Sequence, residues 1–315
     1  MIRILAADGM EKGAVKALEE KGCEVVQQFY EVEDLKQAVK EFDALVVRSA
    51  TKVRVPVIDE AAAAGRLKII IRGGVGVDNI DVDYAKEKGI EVRNTPRASS
   101  QSVAELAMGH MFACARFLSV AGHSMREGKW EKKAYAKGIE LQGRTLGIIG
   151  FGRIGQATGR IAKALGMRVL ATGSRPCPEG ETIAEYTDLD TLLTASDVIA
   201  LHCPLFPETA GIINRETIAK MKDGVILLNS ARGGLVVEQD LADALNSGKV
   251  AAAGLDVVST EPIQGDNPLL KAKNCIITPH IAWGSKESRQ RIMDCTVKNV
   301  NAFLAGKPVN TVNGL

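Results

Sequence analysis

Paired cysteines, long apolar runs and an excess of either charge are all missing from this 315-residue chain. Its six cysteines, at 23, 114, 177, 203, 275 and 295, form no CxxC pair and no cluster with histidine. That argues against a zinc site or any other metal and against a disulfide framework, and it fits a reducing, cytoplasmic setting. No apolar run approaches the length that spans a bilayer, and the opening MIRILAADGMEKG carries Asp8 and Glu11 too early for a secretory signal. Neither membrane insertion nor export is therefore expected. Aromatic residues make up only 4% of the chain, and 40 basic against 38 acidic side chains leave a net charge of +2 without a basic block. A nucleic-acid groove is not expected, and any anion selectivity must be local. There is no repeat or low-complexity linker.

What the chain does have is a recurrent alternation. Short runs rich in Ile, Val and Leu (IRILAA, ALVVR, KIIIRG, TLGIIG, RVLAT, DVIALH, GVILLN, AAAGLDV) are separated by amphipathic or Ala-rich spans. Runs of that length, bounded by Gly, Asp or Asn, suit buried parallel strands in βαβ units, so the expected fold class is α/β with doubly wound parallel sheets. A glycine fingerprint begins only at residue 150, after several such strands, so a separate α/β unit must precede it. Between the two stands SSQSVAELAMGHMFACARFLSVAGHSMREGKW, whose serines followed by Glu105 resemble a helix start. It reads as a connecting core helix or as an oligomer interface. SKESRQRIMDCTVKNVNAFLAG is amphipathic and closes on glycine, as a final helix should.

The fingerprint is Gly150, Gly152 and Gly155 in GxGxxG spacing, preceded by the apolar TLGII and opening the helix-like RIGQATGRIAKALG. The first glycine permits the tight turn, the second lets backbone amides approach a pyrophosphate, and the third lets helix pack closely on strand. Such a loop usually meets an Asp or Glu about twenty residues on, which accepts hydrogen bonds from the adenine-ribose hydroxyls and repels a phosphate there. Here that place reads Thr172, Gly173, Ser174, Arg175. A hydroxyl and a guanidinium suit a phosphate monoester on the ribose, so the cofactor expected is NAD(P)(H) with a lean to NADP(H). The alternative has Arg175 stacking over the adenine or pointing to solvent, and NAD(H) stays open.

Three further strand ends carry polar residues that folding alone does not require: Arg232 after VILLN, Glu261 after AGLDV, and His280 after CIITP. Ligands of open parallel sheets gather outside the carboxyl ends of strands, where these three can converge. Reducing a 2-oxo acid calls for a guanidinium that holds the carboxylate and polarises the carbonyl, and for an acid that delivers a proton to the oxygen. An imidazolium beside a carboxylate meets the second need. Taken singly, Arg232 equally suits a surface ion pair, Glu261 a solvated loop and His280 a satisfied hydrogen-bonding role.

Together with GIIGFGRIGQ, LHCPLFPETAGIIN, NSARGGLVVEQDLADAL, GLDVVSTEP and ITPHIAWGSKES, in this order, these residues closely resemble the D-isomer-specific 2-hydroxyacid dehydrogenases over nearly the whole chain. The resemblance implies a flavodoxin-like substrate domain, residues 1–97 plus 285–315, and a Rossmann-like dinucleotide domain, residues 98–284, inserted into it. It implies that Arg232 binds substrate, Glu261 supports the histidine and His280 is the acid/base. It places Arg153, Ile154, Cys203, Pro204, Thr209, Ala231 and Asp256 at the cofactor beside the fingerprint glycines. It also implies a homodimer formed largely through residues 98 to 130.

The two halves resemble different members. DALVVRSATKVRVPVID and IIIRGGVGVDNIDVDYAKEKGIEVRNTP resemble D-3-phosphoglycerate dehydrogenase, an enzyme of serine synthesis that usually works with NAD. Arg48, Lys52 and Arg72 there offer cations for a distal phosphate, and Gly74, Val75 and Gly76 offer closely approaching amides to a carboxylate. Arg54 has the look of a residue tied to an acidic neighbour. DLADALNSGKVAAAGLDVVSTEP and DNPLLKAKNCIITPHIAWG instead resemble glycerate dehydrogenases, or hydroxypyruvate reductases, with Trp283 as the sharpest mark beside the histidine. That indole either narrows the pocket or packs across a dimer contact. The expectation is an oxidoreductase acting at C2 of 3-phosphoglycerate or 3-phosphohydroxypyruvate. The first alternative is hydroxypyruvate or glyoxylate reduction, the second another anionic C3 or C4 acid, and the third a dinucleotide-sensing corepressor. Because the chain ends at Leu315, serine feedback through an added regulatory domain is not expected, and a hinge is expected near residues 98 and 285.

Overall fold

The structure is a computed structural model that describes residues 1–173 and 175–315. The chain divides into two compact units, Met1–Ser99 with Gly284–Leu315 and Ser100–Trp283. It therefore leaves the first unit once and returns to it with its last helix.

The first unit is built on five parallel strands: β1 (Ile2–Ala6), β2 (Cys23–Gln27), β3 (Ala44–Val47), β4 (Ile69–Arg72) and β5 (Glu91–Arg93), in the order β2-β1-β3-β4-β5. Successive side chains of a strand face opposite ways, and here both sets are apolar. Leu5, Leu45 and Ile70 pack with Val57 and Ile58 on one face, while Ile4, Val46 and Ile69 pack with Leu18 and Val300 on the other. The strand order reverses between β1 and β3, which opens a ligand position at their carboxyl ends. Val300 belongs to the last helix, Lys286–Leu304, capped by the Ser285 hydroxyl, which accepts from the Ser288 amide.

The second unit holds seven parallel strands: β6 (Thr145–Ile149), β7 (Arg168–Thr172), β8 (Glu185–Tyr186), β9 (Val198–Leu201), β10 (Val225–Asn229), β11 (Val250–Leu255) and β12 (Cys275–Ile277). Their order is β12-β11-β10-β9-β6-β7-β8, with the reversal between β6 and β9. Two apolar layers again enclose the sheet; one includes Met108 and Met111 of helix Ser100–Ala115. The expected long helical segment is broken: Phe117 adopts φ +56°, and a second helix, Leu118–Arg126, departs at 65°. Among the described residues no single helix is long and apolar enough to cross a membrane. Strands β2, β5 and β8 fall outside the apolar runs of the sequence. They lie at sheet edges, and β2 and β8 carry glutamates in ion pairs, Glu24 with Arg3 and Glu185 with Arg168.

Candidate active site

At the β6/β9 reversal, the glycine loop shows why its residues have no side chains. Gly150 has φ +95°, and a Cβ there would stand 2.3 Å from the Cys203 amide nitrogen. A Cβ on Gly155 would meet the Gly150 carbonyl at 2.4 Å, whereas beside Gly152 there is open space. Helix Arg153–Ala164 starts at Gly152 without a side-chain cap. Its first amides, on Arg153 and Ile154, thus face that space with the positive end of the helix dipole. The cradle fits a dinucleotide pyrophosphate. Gly173 stands at φ +79°, its Cβ position 3.5 Å from the Gly150 nitrogen. The left-handed backbone explains why no acidic side chain sits at this strand tip. Arg175 is exposed, and Ser174 lies outside the described residues.

The residues after β9 close the loop from below. Thr209 donates to the Pro204 carbonyl at 2.8 Å and accepts from the Phe206 amide at 2.8 Å, and Cys203 is buried, which pushes its thiol up. His202 accepts or donates through Nε2 to Thr158 at 3.0 Å, while its Nδ1 is buried without a partner among the described residues. Burial lowers its pKa to about 4, so the ring is neutral under ordinary conditions.

Three strand ends of the same sheet carry the polar trio. His280 Nδ1 stands 2.8 Å from Glu261 Oε2, with the two side chains 33% and 40% exposed. That bond assigns the Nδ1 proton to the glutamate side and leaves Nε2 for proton exchange. Burial pushes the Glu261 carboxyl up. The bond from His280, the charge of His280, the Val258 amide and the charge of Arg232 outweigh it and hold the group below its ordinary value. Arg232 follows β10 on a turn fixed by Asn229, whose side chain donates to the Arg232 carbonyl at 2.8 Å and accepts from the Ala231 amide at 3.0 Å. The next residue must be glycine, because a Cβ on Gly233 would lie 2.0 Å from the Val258 carbonyl carbon. Glu238 ties the Glu261 loop by accepting from the Ser259 amide and hydroxyl, each at 2.7 Å.

His280 itself stands at φ +53°, a conformation that costs a non-glycine residue about 1–3 kcal/mol and needs outside support. The support is dense. The His280 amide donates to the Asp256 carbonyl at 2.9 Å, and the Asp256 carboxylate accepts from the Ile281 and Ala282 amides at 2.9 and 2.7 Å. The Trp283 indole donates to the His280 carbonyl at 3.0 Å. Asp256 is only 1% exposed, so its geometry is that of a loop anchor.

In the first unit, Asp8 folds the turn after β3 by accepting from the Arg48 amide at 2.6 Å and the Thr51 hydroxyl at 2.6 Å. Burial and the charge of Arg289 pull the Arg48 pKa down, against Glu11 and Asp8. Arg48, Glu11 and Arg289 line one cavity of about 40 Å³ with Met10, Gly73 and Met293, and Arg289 is hydrogen-bonded to Glu11. Lys52 is exposed, and Arg54 pairs with Asp81 at 2.8 Å. Arg72 Nη1 donates to the Gly73 carbonyl at 3.3 Å and occupies the space a Cβ on Gly74 would need. The Gly74 carbonyl accepts from the Thr95 amide at 2.9 Å and the Val75 carbonyl from Asn94 Nδ2 at 2.6 Å. A trans peptide points its N–H opposite its C=O, so these two bonds turn the Val75 and Gly76 amides the other way, as a carboxylate nest requires.

Sequence reasoning reached the trio and the glycines but missed Asn229, Gly233, Glu238, Asn94 and Arg289. Of these, only Gly233 left a signal, the double glycine of ARGG. Among the described residues no group of His, Cys, Asp and Glu is arranged to hold a metal ion.

Residues 108–282 match the family described as D-isomer specific 2-hydroxyacid dehydrogenase, NAD binding domain. A hydroxypyruvate reductase of Thermotoga maritima is 51% identical over 293 residues, covering 92% of this chain and 94% of that protein. A D-3-phosphoglycerate dehydrogenase of Methanocaldococcus jannaschii is 44% identical over 315 residues, covering 99% of this chain but 59% of that protein. Among solved structures, a D-lactate dehydrogenase of Aquifex aeolicus complexed with NAD and lactic acid is similar at TM-score 0.88 and 32% identity, covering 99% of each chain. Profile, relatives and the site built on β6, β9, β10, β11 and β12 agree, and the chain belongs to the D-isomer-specific 2-hydroxyacid dehydrogenase family.

Proposed function

We propose that this family member reduces hydroxypyruvate to D-glycerate, with NADP(H) as the preferred cofactor. The observation that carries the substrate choice is the state of the cations in the first unit. Arg48 is half-buried in a small cavity beside Glu11 and near Asp8, and Arg72 is folded over Gly74. Acidic neighbours offset the positive charge that a phosphate ester needs, while a three-carbon acid with a hydroxyl end needs no such charge. The similarity to the Thermotoga hydroxypyruvate reductase supports the same reading. A second reading, 3-phosphohydroxypyruvate, keeps its support in the closeness of Arg48 and Arg289 and in the exposed Lys52. For the cofactor, Gly173 offers no carboxylate to repel a ribose phosphate and Arg175 is exposed to meet one.

The nicotinamide, when bound, supplies the hydride that reaches C2. Arg232 holds the carboxylate and orients the carbonyl; the Val75 and Gly76 amides are a separate candidate anion nest of the first unit. His280 Nε2 delivers the proton to the C2 oxygen, and Glu261 stabilises the charged imidazole before transfer and fixes its tautomer. Oxidation runs the same steps backwards. His280→Ala should lower kcat by about three orders of magnitude, as loss of an acid/base group does, with cofactor affinity nearly unchanged. Equal turnover would remove His280 from the role.

Initial rates in a two-by-two grid of hydroxypyruvate or 3-phosphohydroxypyruvate with NADPH or NADH test the reading. Faster turnover of the phosphorylated acid would replace it with the second; no turnover of any 2-oxo acid would favour a dinucleotide-sensing binding protein. Phe112, Leu118, Met125 and Trp130 leave large apolar side chains exposed, which supports a second copy covering this stretch. Light scattering of Leu118→Glu should then report monomers. Six free cysteines support a reducing, cytoplasmic location.

A further inference from the structure

Behind the Asp256 anchor lies a second layer that the chemistry above does not use. Thr278 donates its hydroxyl proton to Asp256 Oδ1 at 2.6 Å and has another acceptor in reach, the Leu255 carbonyl at 3.5 Å. The same oxygen stands 3.3 Å from His110 Nε2. A hydroxyl has one proton. Once Thr278 spends it on Asp256, its oxygen can only accept from His110, which places the imidazole proton on Nε2. His110 Nδ1 is then an acceptor, buried and without a partner among the described residues. His110 is 5% exposed in the middle of helix Ser100–Ala115 and packs so closely on β11 that a Cβ on Gly254 would lie 2.6 Å from its own Cβ. A leucine would fill this space at lower cost, since a buried polar nitrogen without a partner is unfavourable. Burial lowers the His110 pKa, which keeps the ring neutral and a single-proton donor.

We propose that Thr278 and His110 are positioning residues for His280, acting through Asp256. The His110 proton directs the Thr278 hydroxyl to Asp256 rather than to Leu255. The hydroxyl fixes the rotation of the carboxylate, and the carboxylate holds the Ile281 and Ala282 amides that keep His280 in its left-handed conformation. Helix Ser100–Ala115 is thereby coupled to the catalytic loop by one line of hydrogen bonds. The catalytic part of this inference rests on the proposed role of His280; the structural part does not.

The test combines kinetics with hydrogen exchange on full-length Thr278→Val, Thr278→Ser and His110→Leu. Thr278→Val should lower kcat with hydroxypyruvate about tenfold, since misplacement of a reacting group costs rate directly, while KM for NADPH stays within about twofold. Thr278→Ser should restore kcat, and His110→Leu should lower it by roughly threefold, the scale of one hydrogen bond. In Thr278→Val the Ile281 and Ala282 amides should exchange faster, and strands β6 and β9 should keep wild-type protection. Unchanged exchange at Ile281 and Ala282 overturns the proposal whatever the substrate, and faster exchange with unchanged kcat overturns its catalytic part. A wild-type protein inactive on every 2-oxo acid would defeat the functional reading alone, because the exchange comparison still decides the anchoring. If Thr278→Val does not fold, His110→Leu carries the same comparison.

Discussion

Amides proposed to meet an anion occur in both units, but they are exposed by different means. In the seven-stranded unit, Arg153 and Ile154 begin a helix, and a helix leaves its first amides without intrahelical acceptors wherever it starts. In the five-stranded unit, the Val75 and Gly76 amides belong to an irregular loop and face outward only because Thr95 and Asn94 draw the preceding carbonyls away. Asn94 is in turn held from the last helix, where Asn299 donates to its carbonyl at 2.8 Å and receives Asn310 at 2.8 Å. The first arrangement is local and needs glycines. The second is assembled from segments about two hundred residues apart, so its sensitivity is spread over residues that touch no ligand.

Gly150→Ala strikes the local arrangement and should have the largest effect. A backbone collision at 2.3 Å in the left-handed region costs at least about 2 kcal/mol, or roughly thirtyfold in cofactor Kd, read by NADPH fluorescence titration. Wild-type affinity would mean that the loop yields more than its packing implies. Asn94→Ala strikes the dispersed arrangement. It should raise KM for the 2-oxo acid by about fivefold, near 1 kcal/mol, with cofactor Kd unchanged. A change in cofactor binding instead would dissolve the contrast.

Glu261→Gln should lower kcat for reduction by roughly threefold, because His280 loses the carboxylate that fixes its tautomer and ring orientation, with cofactor Kd unchanged. A rate identical to wild type would argue against the pairing at 2.8 Å. A last effect concerns stability, not rate or affinity. The pKa of His202 in the fold is about 4 against an ordinary 6.5, so the unfolded chain binds the proton first. Stability is fully present above pH 6.5 and falls as pH drops towards 4, by up to about 3 kcal/mol from this residue. His110, also lowered, adds in the same direction, so the measurement is the difference between wild type and His202→Gln in denaturant midpoints across that window.

The contrast also explains what was legible beforehand. Arg232, Glu261 and His280 were visible because each follows an apolar run, and a parallel sheet lines up its strand ends. The fingerprint glycines were visible because turn, approach and packing each demand a missing side chain at fixed spacing. Asn94, Arg289 and Glu238 were not, because their partners are remote in sequence and their residue types are ordinary on any surface. The resemblance places Asp256 at the cofactor, and residue type alone does not announce the loop-anchoring bonds its carboxylate accepts from Ile281 and Ala282. The break at Phe117 interrupts an otherwise unbroken helical pattern, where neither proline nor glycine marks the spot. Strand β8, two residues long, has too little pattern to detect.

Gly233 sets a limit on redesign. The turn that carries Arg232 touches the backbone leading to Glu261 so closely that even a methyl group does not fit between them. On the proposed roles of Arg232 and Glu261, loosening this turn to admit bulkier acids would also disturb their alignment.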